Sequence, residues 1–466
     1  MPVGGPRTPL RVAIIGSGPS GFYSAEHLLS QDDVNVQVDM FDRVPTPFGL
    51  VRAGVAPDHQ KIKSVTRVYE RTAADDRFRF RGNVEVGRHI DQPDLMEYFH
   101  AVIYAVGASA DRRLGIPHEY LPGSHSGPEF VAWYNASPLD RARTYDFSGF
   151  RAVVVGNGNV AMDIARMLVL PTEELARTDM ARHAVTALAE GNVREVVMLG
   201  RRGPAQAAFT PKELREVAER DDIDVIVHPD EVALDPHSRH DAEQHPDRNR
   251  DQNLEILREL AARGDRGRDR RIIMRFLASP VSLHGTNHVE AVEVVRNELY
   301  RGDRGALRAR MTDDREMIPT GLVFRAIGYQ GVPIAGVPFD PLTATIPNEA
   351  GRVIDPLDGS PRYGEYAAGW IKRGPTGIIG TNKPDAQETV ETLLQDLRAG
   401  HLQRRVPSRR VLARLVGERQ GDLTSWADWQ HLDRVEQEMG AEVGAPRIKF
   451  ARVETMMRFL GERGGS

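Results

Sequence analysis

The chain has 466 residues, a formal net charge of −5 and no cysteine. Its length exceeds one compact core and predicts about two or three domains, while the near-neutral charge balance gives no global signal for nucleic acid or a membrane surface. Without thiols there are no redox disulfides, thiolate nucleophiles or Cys-ligated iron–sulfur clusters, so any redox chemistry must run on a bound organic cofactor. No apolar run is long enough to span a bilayer, and the stretch Met1 to Pro6 lacks the charged start and apolar centre of a secretory signal, so the expected location is the cytoplasm.

The first predicted element is Val12 to Ile15, a short apolar run that reads as a buried parallel strand. It ends in Gly16-Ser17-Gly18-Pro19-Ser20-Gly21 and runs into an amphipathic helix to Ser30. In this fingerprint Gly16 permits the tight turn, Gly18 lets backbone amides approach a pyrophosphate, and Gly21 lets the helix pack close to the strand; the anion sits on the helix N-terminus. About twenty residues on, the strand Val36 to Phe41 ends in Asp42, placed to accept hydrogen bonds from a ribose diol.

The next stretch, Val44 to His59, is rich in proline and glycine and reads as a rigid loop suited to form the wall of a flavin ring. His59 reads as a proton donor or electrostatic partner near that ring, or equally as a helix-start histidine bonded to backbone. One helix is predicted over Gln60 to Arg71 and a strand pair over Phe78 to Val86, turning at Gly82-Asn83. The strand runs Ala101 to Ala108 and Gly321 to Gly328 share an A-x-G ending and bracket an internal block. We expect an α/β architecture of two Rossmann-like units, the second (109–328) inserted into a discontinuous first (1–108 and 329–466).

Inside the block a second fingerprint appears: the strand Ala152 to Val155, then Gly156-Asn157-Gly158-Asn159-Val160-Ala161, with alanine in place of the third glycine. Two fingerprints imply two nucleotides held face to face. A helical insertion covers about Thr172 to Glu190, and the partner strand Val193 to Gly200 ends in Arg201-Arg202 instead of an acid. Two guanidiniums there suit a 2′-phosphate and predict NADP(H) over NAD(H). The first unit, with its acidic strand end, is then expected to hold FAD as the relay.

Pro211 to Glu219 should be helical, with Glu213 and Glu216 on roughly one face, one of them a candidate to meet His59 across the domain cleft. The histidine-rich stretch His237 to His245 reads as a flexible loop and not a metal site. Leu254 to Ala262 is an amphipathic helix leading into the arginine-rich stretch to Arg271, either a solvated face or a dock for an acidic partner; without interleaved aromatics it does not suit nucleic acid. The glycine-rich run Ala367 to Asn382 leads into a helix from Lys383 to Leu397, and its amides suit the pyrimidine side of a flavin. Trp370 either stacks near the nicotinamide or fills the core. Beyond about residue 400 a strand and short helices are expected, including Trp426 to Glu438, with no chemistry assigned.

Read together, PTPFGLVRAGVAPDHQKIK, GNGNVAMDIAR, GRRGP and GWIKRGPTGIIGTNK resemble, in wording and order over nearly the whole length, the adrenodoxin reductase-like ferredoxin–NADP reductases. The resemblance implies FAD and NADP domains like those of glutathione reductase but without its disulfide, and an acidic iron–sulfur ferredoxin as electron acceptor. It implies FAD contacts at Ser20, Asp42, Leu50, Glu85, Trp370 and Gly377 to Ile379 (through Ile378), besides the cradle glycines. It implies NADP contacts at Arg112, Asn157 to Val160 (through Gly158 and Asn159), Arg201, Arg202, Glu213 and Gly377. His59, Asp163 and Glu216 match the polar groups which that family places around the ring. Its basic docking surface fits Arg258 to Arg271 loosely. The rival readings are an NADPH-dependent flavin monooxygenase or diaphorase, although the F-x-G-x-x-x-H pattern of one monooxygenase class is absent, and a non-enzymatic nucleotide sensor.

Overall fold

The run Leu10–Ile15 (β1), apolar except for Arg11, is buried at every position, which a strand achieves only at the centre of a sheet covered on both faces. It is followed by Pro19–Leu29 (α1), Val36–Phe41 (β2), Leu50–Ala53 (α2), Phe78–Arg81 (β3) and Ala101–Tyr104 (β4) in a computed structural model that describes residues 2–302 and 305–462. By contact density the chain separates into unit 1 (Met1–Ala110, Asn135–Arg141 and Tyr329–Ser466) and unit 2 (Asp111–Tyr134 and Ala142–Gly328).

Unit 2 carries Ser124–Ser126 (β5), Arg151–Val155 (β6), Asn159–Val169 (α3), Glu195–Gly200 (β7), Pro211–Ala218 (α4) and Ile223–Val227 (β8). Then come Pro236–Gln244 (α5), Arg248–Arg263 (α6), Arg270–Phe276 (β9), Ala278–His284 (β10), Ala291–Arg301 (β11), Leu307–Pro319 (β12) and Leu322–Arg325 (β13). Its main sheet runs β5-β13-β6-β7-β9-β8, every pair parallel, and a separate antiparallel sheet β10-β11-β12 packs its apolar face onto the same core.

The chain returns to unit 1 with Asn348–Glu349 (β14), Arg352–Ile354 (β15), Pro361–Ala367 (β16), Trp370–Arg373 (α7), Asn382–Arg398 (α8), Arg409–Arg419 (α9), Trp426–Glu442 (α10) and Val453–Glu462 (α11). The seven-stranded sheet is β14-β15-β16-β4-β1-β2-β3, parallel from β16 to β3. Both large sheets place β1 and β6, the strands that precede the glycine fingerprints, in the interior of the sheet, where a following helix N-terminus lies above the strand ends.

Several expected elements differ. Gly82 bridges Thr424, so the run after β3 cannot return as a hairpin, and β3 pairs only in parallel with β2. The stretch Val44 to His59 is not wholly irregular, since it contains α2, and the helix expected from Gln60 breaks into Gln60–Lys63 and Thr66–Ala73. His237 to His245 is largely helical: the Asp235 carboxylate caps the amides of His237 and Ser238, and Pro236 opens α5, an N-cap signature hidden in a polar stretch. Beyond residue 400 the described residues form three helices and no strand.

Buried ion pairs tie distant parts of unit 1. Asp39, fully buried on β2, accepts Arg81 Nε at 2.8 Å and Arg409 Nε at 2.9 Å, and Arg409 also donates to the carbonyls of Val38 and Arg77, both at 2.7 Å. His100 is buried beside this cluster, its Nδ1 accepting Arg11 N at 2.9 Å and its Nε2 facing Arg404 O at 3.2 Å. Burial lowers the His100 imidazole from 6.5 to about 4. Its unfolded form therefore takes up a proton first, so this contribution to stability is complete above pH 6.5 and is lost as pH falls toward 4. Urea midpoints measured across that window should fall, and the fall should flatten in His100→Gln.

Candidate functional site

In the first cradle, a methyl group built on Gly21 would lie 2.1 Å from Gly16 O, so helix and strand touch backbone to backbone. A methyl group on Gly18 would meet no atom of the described residues within 4 Å: the side that should face a ligand is open. Among the described residues no side chain caps α1, whereas Thr210, Asp247 and Ser425 cap α4, α6 and α10. The first-turn amides of α1 are thus available to an anion. Asp42 accepts from Ser17 N at 3.0 Å, from Ser17 Oγ and from Val44 N at 3.1 Å; burial pushes its carboxyl up against those bonds. Val84 N donates to Asp42 O at 2.8 Å, which sets Glu85 one residue from that strand end, where its carboxylate faces Arg88 at 3.9 Å.

The glycine-rich close meets this cradle. Ser20 Oγ donates to Asn382 Oδ1 at 3.0 Å, and a methyl group on Gly369 would strike Ser20 Oγ at 2.0 Å. Trp370 is half-buried, its Nε1 donating to Thr376 O at 3.1 Å and its ring 5.3 Å from that of Tyr329. Gly377 takes φ +81°, Ile378 is 66 % exposed, and Ile379 packs against the core of unit 1. Leu50 opens α2 with its side chain partly exposed, and Gly49 brings that turn against Gly18. An open glycine, an uncapped helix and an exposed isoleucine along one path fit a dinucleotide with an apolar ring at its far end. His59, buried in unit 1, stands at the N-cap position of Gln60–Lys63 without making a cap bond, 4.0 Å from the Asp58 carboxylate.

The second cradle repeats the construction. Gly156 has φ +143°, Gly158 opens α3 without a side-chain cap, and a methyl group on Gly158 would come no nearer than 3.9 Å to Ala208. Asn157 O accepts Ala208 N at 2.9 Å and Asn159 Oδ1 accepts Thr210 N at 2.8 Å, which pins the segment after β7 beside the half-buried Val160. Arg201 and Arg202 are held by their carbonyls, which accept Asn297 Nδ2 at 2.9 Å and Leu277 N at 3.1 Å. Both side chains are exposed, and among the described residues neither guanidinium makes a hydrogen bond or ion pair. The Arg112 side chain is likewise exposed and without such a partner.

Residues 13–70 match a family model described as FAD-NAD(P)-binding. The chain is 47 % identical over 453 residues to the NADPH-ferredoxin reductase FprA of Mycobacterium leprae, covering 96 % of this chain and 97 % of that protein. It belongs to the adrenodoxin reductase-like NADPH–ferredoxin reductases. The mitochondrial NADPH:adrenodoxin oxidoreductase of Arabidopsis thaliana is 38 % identical, covering 96 % of this chain and 95 % of that one. The structure of Mycobacterium tuberculosis FprA in complex with NADPH superimposes with a TM-score of 0.92 at 47 % identity, covering 97 % of this chain and 99 % of that chain.

In this reductase the acids singled out in unit 2 converge on a residue that sequence reasoning missed. Arg166 is buried on α3, and its guanidinium reaches Asp163 at 2.8 Å, Glu213 at 3.2 Å and Glu216 at 3.7 Å; Lys212 also reaches Glu216, at 3.5 Å. The spacing Asp163-x-x-Arg166 on one helix was a usable signal, because i,i+3 residues share a face. The reductase also uses much of its arginine-rich stretch internally. Arg263 donates to Ala218 O at 2.8 Å, Arg266 to Asp224 at 2.7 Å and Arg270 to Val169 O at 3.1 Å, while Arg271 faces Glu195 at 3.6 Å. Arg258 and Arg268 are exposed, and their side chains make no hydrogen bond or ion pair among the described residues.

Proposed function

We propose that this chain is an NADPH:ferredoxin oxidoreductase that holds FAD in unit 1 and NADP(H) in unit 2. The observation that carries the reading is the pair of glycine cradles, each opening on an uncapped helix, in a chain without a single cysteine. When bound, FAD supplies acceptance of a hydride and release of single electrons. The residues supply position and charge. The α1 amides and Gly18 hold the pyrophosphate, Ser20, Asp42, Leu50 and Glu85 line the adenosine side, and Trp370 and Gly377 to Ile379 the ring. Arg112, Asn157 to Val160, Arg201, Arg202 and Glu213 hold NADP(H), with Gly377 serving both. His59, Asp163 and Glu216 supply the polar groups around the ring. If Glu216 has that role, Glu216→Ala changes the flavin reduction rate or the affinity for NADPH; neither changing would exclude it.

No helix is long and apolar enough to cross a membrane among the described residues, and the cytoplasm is the expected location. The acceptor is an acidic iron–sulfur ferredoxin docking on the 258–271 stretch, where Arg258 and Arg268 are the free cations. Such docking is screened over roughly 10 Å at 0.1 M salt. Cytochrome c reduction through added ferredoxin should therefore fall several-fold as ionic strength rises, and fall at low salt when Arg258 and Arg268 are both changed to Glu. A salt-insensitive rate overturns the docking site.

A further inference from the structure

We propose that Glu436, on helix α10, is a positioning residue for the FAD cradle, acting through Arg52 to fix the turn Phe48 to Ala53 against the β1–α1 glycine loop. The inference rests on the reading of unit 1 as the FAD unit. The turn cannot hold itself. Phe48 takes φ +85° and Gly49 φ +50°, and α2 spans only four residues, too short to be stable without tertiary contacts. One side of the turn lies on the cradle: Phe48 N donates to Ser17 O at 3.0 Å, and a methyl group on Gly49 would sit 3.0 Å from Gly18 Cα. Any shift of the turn moves Leu50 and the backbone contact that Gly49 makes with Gly18.

The other side is held chiefly from α10 and the segment that follows it, with Phe48 also packing against Phe22 of α1 at 5.5 Å and Tyr69 at 6.0 Å. Arg52 forks onto Glu436, Nη1 to Oε2 at 2.8 Å and Nη2 to Oε1 at 2.5 Å, across 384 residues of sequence. The guanidinium lies 5.0 Å from the ring of Trp429, and Phe48 packs edge-on against Trp429 and Trp426 at 5.6 and 6.1 Å. The Arg52 carbonyl is held as well, by Lys449 Nζ at 3.2 Å. Glu436 is fully buried and also accepts Phe450 N at 2.8 Å and faces Arg447 at 3.4 Å. One carboxylate thus binds α10, the returning segment 447–450 and the turn over the cradle. Planar bidentate pairing fixes orientation as well as distance, which a single hydrogen bond does not.

The test uses full-length protein carrying Glu436→Gln, whose side-chain amide keeps the size of the carboxylate but turns a donor toward Arg52. FAD affinity is read by quenching of flavin fluorescence, the ring environment by the visible absorption and circular dichroism of bound FAD, and folding by the urea midpoint of the FAD-free form. Binding of 2′,5′-ADP serves as the control for unit 2. We expect FAD affinity to drop about tenfold or more and the flavin spectrum to change, while 2′,5′-ADP affinity stays at the wild-type value. Arg52→Lys reads the same contact from the other side and should give the same spectral change; it also decides the matter if Glu436→Gln does not fold. Wild-type FAD affinity and spectrum in either folded variant overturn the proposal. So does an FAD loss with an unchanged spectrum that merely tracks a lowered urea midpoint. Wild-type protein that binds no FAD would contradict the underlying reading of unit 1, a separate failure.

Discussion

Replacing both Arg201 and Arg202 by alanine should raise the KM for NADPH on the order of a hundredfold while leaving turnover with NADH nearly unchanged. The two side chains are exposed and, among the described residues, make no hydrogen bond or ion pair, so their removal strands no buried partner and the fold should persist. Charge-assisted hydrogen bonds contribute about 1.5–3 kcal/mol each, and solvent screening places an exposed pair near the low end, about 3 kcal/mol together. NADH lacks the 2′-phosphate and has nothing to lose. Lysine at either position keeps the charge but not the fork, and should cost less than alanine. Steady-state kinetics with both nucleotides check this. Unchanged preference for NADPH in the double variant would show that the 2′-phosphate is read elsewhere.

The second large effect separates ligand contact from packing within one loop. Gly21→Ala places a methyl group 2.1 Å from Gly16 O, so α1 must move off β1; overpacking of this kind costs about 1–3 kcal/mol. Both the urea midpoint of the FAD-free protein and FAD affinity should fall. Gly18→Ala places its methyl group where no atom of the described residues lies within 4 Å, so the FAD-free protein should keep its wild-type midpoint. Its FAD affinity should nevertheless fall by roughly thirtyfold, about 2 kcal/mol, because the methyl group projects where the pyrophosphate must approach. A Gly18→Ala protein that binds FAD normally would place the nucleotide elsewhere.

The parts of the fold that were legible in the sequence are those whose signal is local. A buried strand, a glycine turn and a helix start lie within about twenty residues at Leu10–Leu29 and again at Arg151–Val169, and each element has its own apolar pattern. What was illegible depends on pairs far apart in sequence. Nothing near Asp39 announces Arg409, and nothing near Arg52 announces Glu436, so the C-terminal helices read as inert. Likewise the bridge from Gly82 to Thr424 competes away the hairpin that the turn residues at Gly82-Asn83 suggest. The arginine-rich stretch looked like one charged surface, yet its partners Asp224 and Ala218 O lie roughly 45 residues back along the chain. Arg166 went unnoticed because a buried arginine is recognisable only once the acids of α3 and α4 are seen to surround it.

The central claim, FAD in unit 1 reduced by NADPH held in unit 2, is tested most directly by anaerobic titration of the FAD-reconstituted protein with NADPH, followed by visible absorbance. The account predicts a yellow protein whose flavin band bleaches stoichiometrically with NADPH and far more slowly with NADH. Protein that stays colourless after reconstitution, or a flavin band that dithionite bleaches and NADPH does not, would contradict it.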